Sequence, residues 1–301
     1  MGFETRFRNK KVLVTGALGF IGSHLCRKLS GFDVELHGTS RRFIENHEIR
    51  MQWWNGSMED IVFARKVITT VRPDYIFHLS GYVSGQRDIK YLIDIYNSLL
   101  TSTVNLLTIA TETGCEKVVI AGSLEEPAAD SPDPGSPYAA AKAGCRLYTR
   151  LFNSLYGTPV VNPRIFMVYG PGQTDFRKLI PYVISSLLKN EAPALSSGTR
   201  EIDWIYIDDV IDGLMTIAVD NTINDRIFDI GTGKTTPVKE VINKIVAITG
   251  SEIEPMFGKL EDRPLERVVA ARTNVNVWQP EISLDEGLAR TVNWYREYIN
   301  T

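Results

Sequence analysis

With 301 residues, 44% of them hydrophobic and 23% charged, the chain has the make-up of a globular protein with room for one large domain or two modest ones. A net charge of −3 offers no basic surface for nucleic acid or a membrane, and no run is long and apolar enough to span a bilayer. The three cysteines (Cys26, Cys115, Cys145) show no Cys-x-x-Cys spacing and the four histidines do not cluster, so neither a disulfide framework nor a metal site is expected. Together with a charged N-terminal segment lacking an apolar signal core, this predicts a cytoplasmic protein with reduced thiols.

Strand-like and helical patterns alternate through the first half. Apolar, β-branched runs predict strands over Lys11–Thr15, Asp33–Gly38, Tyr75–Leu79 and Lys117–Ser123, with helices over Ser23–Leu29, Met58–Val71 and Asp94–Thr113 between them. Strands separated by helices predict a doubly wound parallel sheet, in which ligands bind beyond the carboxyl ends of the strands. After a loop from Glu126 to Gly135, Ser136 is a good N-cap and Pro137 suits the first helical position, so a helix is expected from there to Tyr156, stopped by Gly157. Pro159–Phe166 reads as a further strand. Beyond about Thr174 the order becomes irregular: a helix over Leu179–Lys189, short strands over Asp203–Ile207 and Arg226–Ile230, and helices over Pro237–Thr249 and Leu284–Tyr298. The expected fold class is thus α/β: a Rossmann-type sheet domain over residues 1–173 and a smaller α/β lobe over 174–301 that binds a second ligand, with some segments returning to the first domain.

Val12-Leu13-Val14-Thr15-Gly16-Ala17-Leu18-Gly19-Phe20-Ile21-Gly22 ends the first strand in glycines spaced three apart and opens a helix. Such a turn lets a pyrophosphate approach the backbone and rest on a helix N-terminus, so a dinucleotide is expected here. No Gly-Lys-Ser/Thr follows, which excludes the phosphate loop of nucleotide hydrolases. The second strand runs into Gly38-Thr39-Ser40-Arg41-Arg42, with no acid after Glu35 to bind ribose hydroxyls. Two guanidinium groups and two hydroxyls there favour the 2′-phosphate of NADP, with NAD the second choice. Tyr138 and Lys142, four apart near the start of one helix, share a face, and Ser123 ends the preceding strand. A lysine cation, with a cationic nicotinamide, would lower the tyrosine pKa, so that Tyr138 could exchange a proton with an alcohol or carbonyl while Ser123 holds the same oxygen.

These residues, with Arg72-Pro73-Asp74-Tyr75-Ile76-Phe77-His78-Leu79, Tyr138-Ala139-Ala140-Ala141-Lys142, Val168-Tyr169-Gly170-Pro171-Gly172-Gln173 and Tyr206-Ile207-Asp208-Asp209-Val210, resemble the extended short-chain dehydrogenase/reductases that act on nucleotide sugars. The resemblance implies a bound nicotinamide dinucleotide, a nucleoside-diphosphate sugar substrate, and a catalytic set of Ser123, Tyr138 and Lys142, with Glu125 as a further candidate. It assigns cofactor contacts to Gly16, Leu18, Gly19, Phe20, Ile21, Gly22, Thr39, Ser40, Arg41, Arg42, Ser57, Met58, Leu79, Ser80, Gly81, Tyr138 and Lys142. Substrate contacts fall on Tyr82, Ser84, Met167, Arg200 and Arg263. A homodimer through the Tyr138 helix and the helix around Asn97–Thr113 is implied as well.

Departures from the family pattern bear on the reaction. Leu124 cannot transfer a proton, which argues against a 4,6-dehydratase although Glu125 remains, and Pro127-Ala128 interrupts the Val-Tyr-Gly of many epimerases. The stretches Gly38–Arg41, Arg72–Leu79 and Gly122–Glu126 look most like NADPH-dependent reductases of nucleotide-linked 4-keto-6-deoxyhexoses. The expectation is therefore reduction at C4 with Tyr138 as general acid in deoxysugar biosynthesis. A nucleotide-sugar 4-epimerase using the same three residues is the alternative, and a non-enzymatic NADP sensor a distant third. Ile202 and Met167 stand where relatives often carry Arg and Asn. Asp208 and Asp209 read as helix caps.

Overall fold

In the computed structural model, residues 2–42, 48–127, 133–223, 228–262, 268–272 and 277–300 are described. They form two compact units, one of residues 1–165 with 211–228, the other of 166–210 with 229–301.

The first unit opens with α1 (Phe3–Phe7), β1 (Lys10–Thr15), α2 (Phe20–Leu29), β2 (Val34–Ser40), β3 (Gln52–Asn55), α3 (Ile61–Val71) and β4 (Tyr75–His78). A 3₁₀ turn (Ile89–Tyr91) and α4 (Leu92–Tyr96) lead through a π-helical turn (Asn97–Thr101) into α5 (Ser102–Thr113). Then come β5 (Lys117–Ile120), β6 (Gly122–Ser123), α6 (Pro137–Tyr156), β7 (Val160–Val161) and β8 (Arg164–Ile165). Six strands pair in the order β3-β2-β1-β4-β5-β7, all in parallel. The expected Rossmann-like sheet is therefore present, and its order reverses at β1 and β4, the place where doubly wound sheets open a ligand crevice. Fully buried Leu13, Ile76, Val67, Ile68, Leu106 and Val118 pack one face of this sheet against α3 and α5.

Local chemistry sets the boundaries. Asp60 caps α3 by accepting from the amides of Val62 and Phe63, so this helix starts at Ile61 rather than Met58. Ser136 caps α6 through the Ala139 amide, Pro137 occupies its first turn, and Gly157 ends it in the left-handed region, as the sequence predicts. The predicted strand Lys117–Ser123 breaks at Ala121, because Gly122 and Ser123 leave the main sheet to pair with β8. The predicted strand Pro159–Phe166 breaks too. Pro163 has no amide hydrogen to give, and the Asn162 side-chain amide bonds the Ile120 carbonyl at 2.8 Å. Strand β3, with Trp53 and Trp54 at its centre, is an element the sequence reading lacks.

The second unit holds β9 (Met167–Tyr169), α7 (Leu179–Leu188) and β10 (Glu201–Tyr206), which leads into α8 (Ile207–Val219), a helix whose later residues belong to the first unit. There follow β11 (Asp229–Ile230), β12 (Thr235–Pro237), α9 (Val238–Thr249) and α10 (Leu284–Asn300). β10 pairs with β9 in parallel and with β12 antiparallel. Asp208 and Asp209 lie in the first turn of α8, where their charge suits the helix dipole, and are not its caps. The Asp209 carboxylate instead receives the amides of Glu281 and Ile282 at 2.9 and 3.1 Å. Among the described residues no helix is long and apolar enough to cross a membrane.

Candidate active site

Three glycines shape the turn between β1 and α2, each for its own reason. Gly16 sits at φ +69°, and a Cβ there would stand 2.8 Å from the Ser80 backbone. A Cβ at Gly22 would lie 2.2 Å from the Gly16 carbonyl oxygen, so α2 packs onto the strand end only without one. Gly19 is the N-cap of α2, and no side chain caps that end. First-turn amides left without a side-chain acceptor fit an anion such as a pyrophosphate, so the turn suits a dinucleotide. Leu18 is exposed at the turn, and Phe20 and Ile21 open the helix.

Beneath the turn lies a fully connected polar network. Thr15 Oγ1 donates to His78 Nδ1 at 2.8 Å and accepts from the amides of Leu79 and Ser80. Ser102 Oγ donates to the Ser98 carbonyl at 2.6 Å, which leaves it to accept from His78 Nε2 at 3.2 Å. His78 is thereby held as the neutral Nε2–H tautomer, and burial, aided by the nearby Lys142 charge, lowers its pKa to about 3. The network pins the ends of β1 and β4 to the π-helical turn. Ser98 in that turn also accepts from the Tyr82 amide at 3.0 Å, which fixes the loop after Gly81. Tyr82 stacks on Tyr91 with ring centroids 6.1 Å apart, and both pack against the buried cluster of Ile95, Leu99, Tyr138, Ala141 and Cys145.

The segment after β5 meets α6 side chain by side chain. The buried Tyr138 hydroxyl is within hydrogen-bonding reach of Ser123, and Ser123 Oγ accepts from the Glu125 amide at 3.2 Å. Lys142 Nζ donates to the Ala121 carbonyl at 2.5 Å and stands 5.8 Å from the Tyr138 ring centroid. Burial pushes the Tyr138 pKa up, with the Glu125 and Glu126 carboxylates adding to the shift, and burial pushes Lys142 down. The sequence reading expects Lys142 and a cationic nicotinamide together to lower the tyrosine pKa; without the cofactor, burial sets the direction of the Tyr138 shift. Leu124 is buried and its amide bonds the Ile165 carbonyl, so a side chain incapable of proton transfer fills the place next to Ser123.

The other expected contact residues lie on both units. Thr39 is buried at the end of β2, Ser40 Oγ accepts from the Arg42 amide at 3.0 Å, and Arg41 and Arg42 are exposed. Ser57 receives the Glu59 amide, and buried Met58 is tied to α5 through the Asn105 side chain on its carbonyl. Ser84 receives the Gln86 amide at 3.2 Å. Met167 on β9 and half-buried Arg200 before β10 belong to the second unit. Arg263, like Arg226 of the predicted strand, lies outside the described residues. The sequence reading misses buried Glu126, assigned there to a loop, and its partner Arg146. Their one sequence signal is the arginine four residues after Lys142, which continues the Tyr138–Lys142 face. Among the described residues, no group of three or more His, Cys, Asp or Glu side chains is arranged to hold a metal ion.

A family model described as "NAD dependent epimerase/dehydratase family" matches residues 12–231. The chain belongs to this family. Similar proteins within it point to nucleotide sugars. The chain is 28% identical to a UDP-glucuronate 4-epimerase of Thermodesulfobacterium geofontis, over 95% of this chain and 96% of that protein. The structure of a UDP-glucose 4-epimerase from Thermotoga maritima, with UDP-glucose, superposes with a TM-score of 0.87 at 25% identity, over 96% of this chain and 99% of that one. MoeE5, in complex with UDP-glucose and NAD, gives a TM-score of 0.84 at 26% identity, over 96% and 99% of the two chains. As an epimerase/dehydratase family enzyme the protein fits nucleotide-sugar chemistry. Nothing in these relatives favours the C4-ketoreductase expected from the sequence, and the epimerase alternative fits them better.

Proposed function

We propose that this protein is a nucleotide-sugar 4-epimerase working with a bound nicotinamide dinucleotide. The observation that carries the reading is the buried Tyr138 hydroxyl within reach of Ser123, with Lys142 one turn further along the same helix, in a unit whose glycine turn opens an uncapped helix. Two of the three relatives described above are named as 4-epimerases, which supports this reading over reduction. Gly16, Gly19 and the first turn of α2 would hold the pyrophosphate, and Leu79 to Gly81 would border the nicotinamide side. The nicotinamide, when bound, supplies the acceptor and donor of hydride. Tyr138 Oη exchanges a proton with the sugar O4, and Ser123 Oγ holds that oxygen through both halves of the cycle. Lys142 binds ribose hydroxyls and places its charge near the phenolate. Glu125 is a reserve acid beside the pair. Tyr82, Ser84, Met167, Arg200 and Arg263 are the proposed substrate contacts.

The described end of β2 carries Thr39, Ser40, Arg41 and Arg42 and no carboxylate, which supports NADP, while the NAD in MoeE5 supports NAD as the second choice. The same strand end favours the second reading, a 4-ketoreductase in deoxysugar biosynthesis, because a reductase exchanges its cofactor at every turnover. Incubating the purified protein with UDP-glucose, UDP-glucuronate and a 4-keto-6-deoxy sugar nucleotide separates the two. Interconversion at C4 with no net change in cofactor absorbance is the expected result. Stoichiometric NADPH oxidation by the 4-keto sugar alone would replace it with the reductase. A homodimer is supported by Leu147, Leu151 and Leu155, exposed along one stripe of α6, and by exposed Ile89, Ile93 and Tyr96 near α4. Light scattering should give twice the 33.8 kDa chain mass, reduced to one chain by Leu151→Glu.

A further inference from the structure

Tyr138, Lys142 and Arg146 recur every fourth residue along α6 and so share one face. Each reaches a different point of the segment just after β5. Tyr138 meets Ser123, Lys142 meets the Ala121 carbonyl, and Arg146 Nε pairs with Glu126. Glu126 is 2% exposed, and its other oxygen accepts the Ser123 amide at 2.7 Å. Gly122 makes room for that carboxylate: a Cβ there would lie 2.7 Å from Glu126 Oε1. Glu126 thus connects the backbone of Ser123 to the helix that carries Tyr138 and Lys142.

We propose that the Glu126–Arg146 pair is a positioning device that sets Ser123 against Tyr138 by holding the Ser123 amide. This rests on the reading above that Ser123, Tyr138 and Lys142 are the reacting set. A buried carboxylate needs a partner, and Arg146 supplies the charge. The carboxylate also satisfies an amide in a turn that has left its sheet. Glu126 bonds the backbone amide of Ser123, and Arg146 acts through Glu126. Ser123 hydrogen-bonds best when its backbone cannot drift, and misplacement of about 1 Å can cost on the order of a hundredfold in rate.

Two double variants isolate the link, because both remove the charge pair and only one removes the acceptor. Glu126→Gln/Arg146→Met keeps an oxygen for the Ser123 amide, whereas Glu126→Leu/Arg146→Met does not. With UDP-glucose as substrate and saturating cofactor, the glutamine pair should keep kcat within about threefold of wild type, and the leucine pair should lose at least about tenfold more, both at unchanged KM. Equal kcat in the two, at similar melting temperatures, overturns the proposal. If the leucine pair does not fold, Arg146→Lys against Arg146→Ala reads the link from the helix. Lysine should hold kcat within about threefold and alanine lose about tenfold at constant KM, and equal values again overturn it. Tyr138→Phe, measured alongside, keeps the two failures apart. If it stays fully active, the reacting-set reading is wrong; if it is silent while the double variants match, only the positioning inference falls.

Discussion

Two turns at strand ends of the first unit are built by opposite means. The turn after β1 is made by leaving side chains out: Gly16 approaches the Ser80 backbone and Gly22 nests on the Gly16 carbonyl. The turn around Ser123 is made by putting polar side chains in, with Glu126 and Lys142 bonding the backbone and Asn162 filling the gap left by Pro163. The first presents bare amides to an anion, and the second presents a fixed hydroxyl pair to a reacting oxygen. Substitutions should therefore harm the two turns differently. Enlarging a side chain breaks the first, and shortening or neutralising one breaks the second.

The largest effect belongs to the second turn. Tyr138→Phe removes one oxygen and leaves packing against Ile95 and Leu99 in place. A positioned general acid–base group contributes roughly 10²- to 10⁴-fold, so kcat should drop by that factor while the melting temperature and cofactor affinity stay near wild type. Steady-state kinetics with a cofactor-binding titration checks this, and a fall in affinity as large as the fall in kcat would make Tyr138 a binding residue instead.

Next comes the first turn. Gly22→Ala adds only a methyl, but its three nearest atoms are backbone of Gly16 and Ala17, the closest at 2.2 Å. Overpacking of this kind costs about 1–3 kcal/mol, and here neither neighbour is a side chain that can swing away. The denaturation midpoint should fall and dinucleotide affinity should weaken along with it. Unchanged affinity in a folded Gly22→Ala protein would separate the packing of α2 from its role as anion site.

This contrast also explains what could be read in advance. Glycines spaced at 16, 19 and 22 after an apolar run announce the turn, because missing side chains are visible in a sequence. The parallel sheet and α6, with its Ser136 cap and Gly157 stop, follow from local patterning alone. The Glu126–Arg146 pair does not, since it joins residues twenty apart whose charges look like solvated surface. Nor could the tyrosine pKa be read. Sequence spacing shows that Lys142 is near, but the burial that raises the Tyr138 pKa in the chain without its cofactor is a tertiary property. The splitting of the strands at Ala121 and Asn162 likewise arises from a partner strand far along the chain. Tryptophan-rich β3 is too short for periodicity to announce it.

His78 ties the end of β1 to the start of α5 and yields a pH signature. Its folded pKa, about 3, lies below the ordinary value of 6.5, so the unfolded chain takes up the proton first as pH falls. The stability that neutral His78 provides is thus complete above about pH 6.5 and declines between there and about pH 3, at up to roughly 1.4 kcal/mol per pH unit. Urea unfolding from pH 7.5 to 5.5 should show this slope. His78→Gln should flatten it at the cost of lower stability at pH 7.5, because Thr15 and Ser102 lose a ring that fits both. An unchanged slope would place the proton uptake elsewhere.

The smallest effect tests whether α6 depends on its cap or on its three reaching side chains. Ser136 Oγ accepts the Ala139 amide at 3.1 Å, only two residues before Tyr138. Loss of such a cap costs typically about 1 kcal/mol. If Tyr138, Lys142 and Arg146 hold the helix to the serine turn, Ser136→Ala should lower the melting temperature by about 2–4 °C and leave KM and kcat within about twofold, since Tyr138, although in the first turn, keeps its own packing on Ile95 and Leu99. A kcat loss approaching that of Tyr138→Phe would mean that the end of the helix, rather than its face, places the tyrosine.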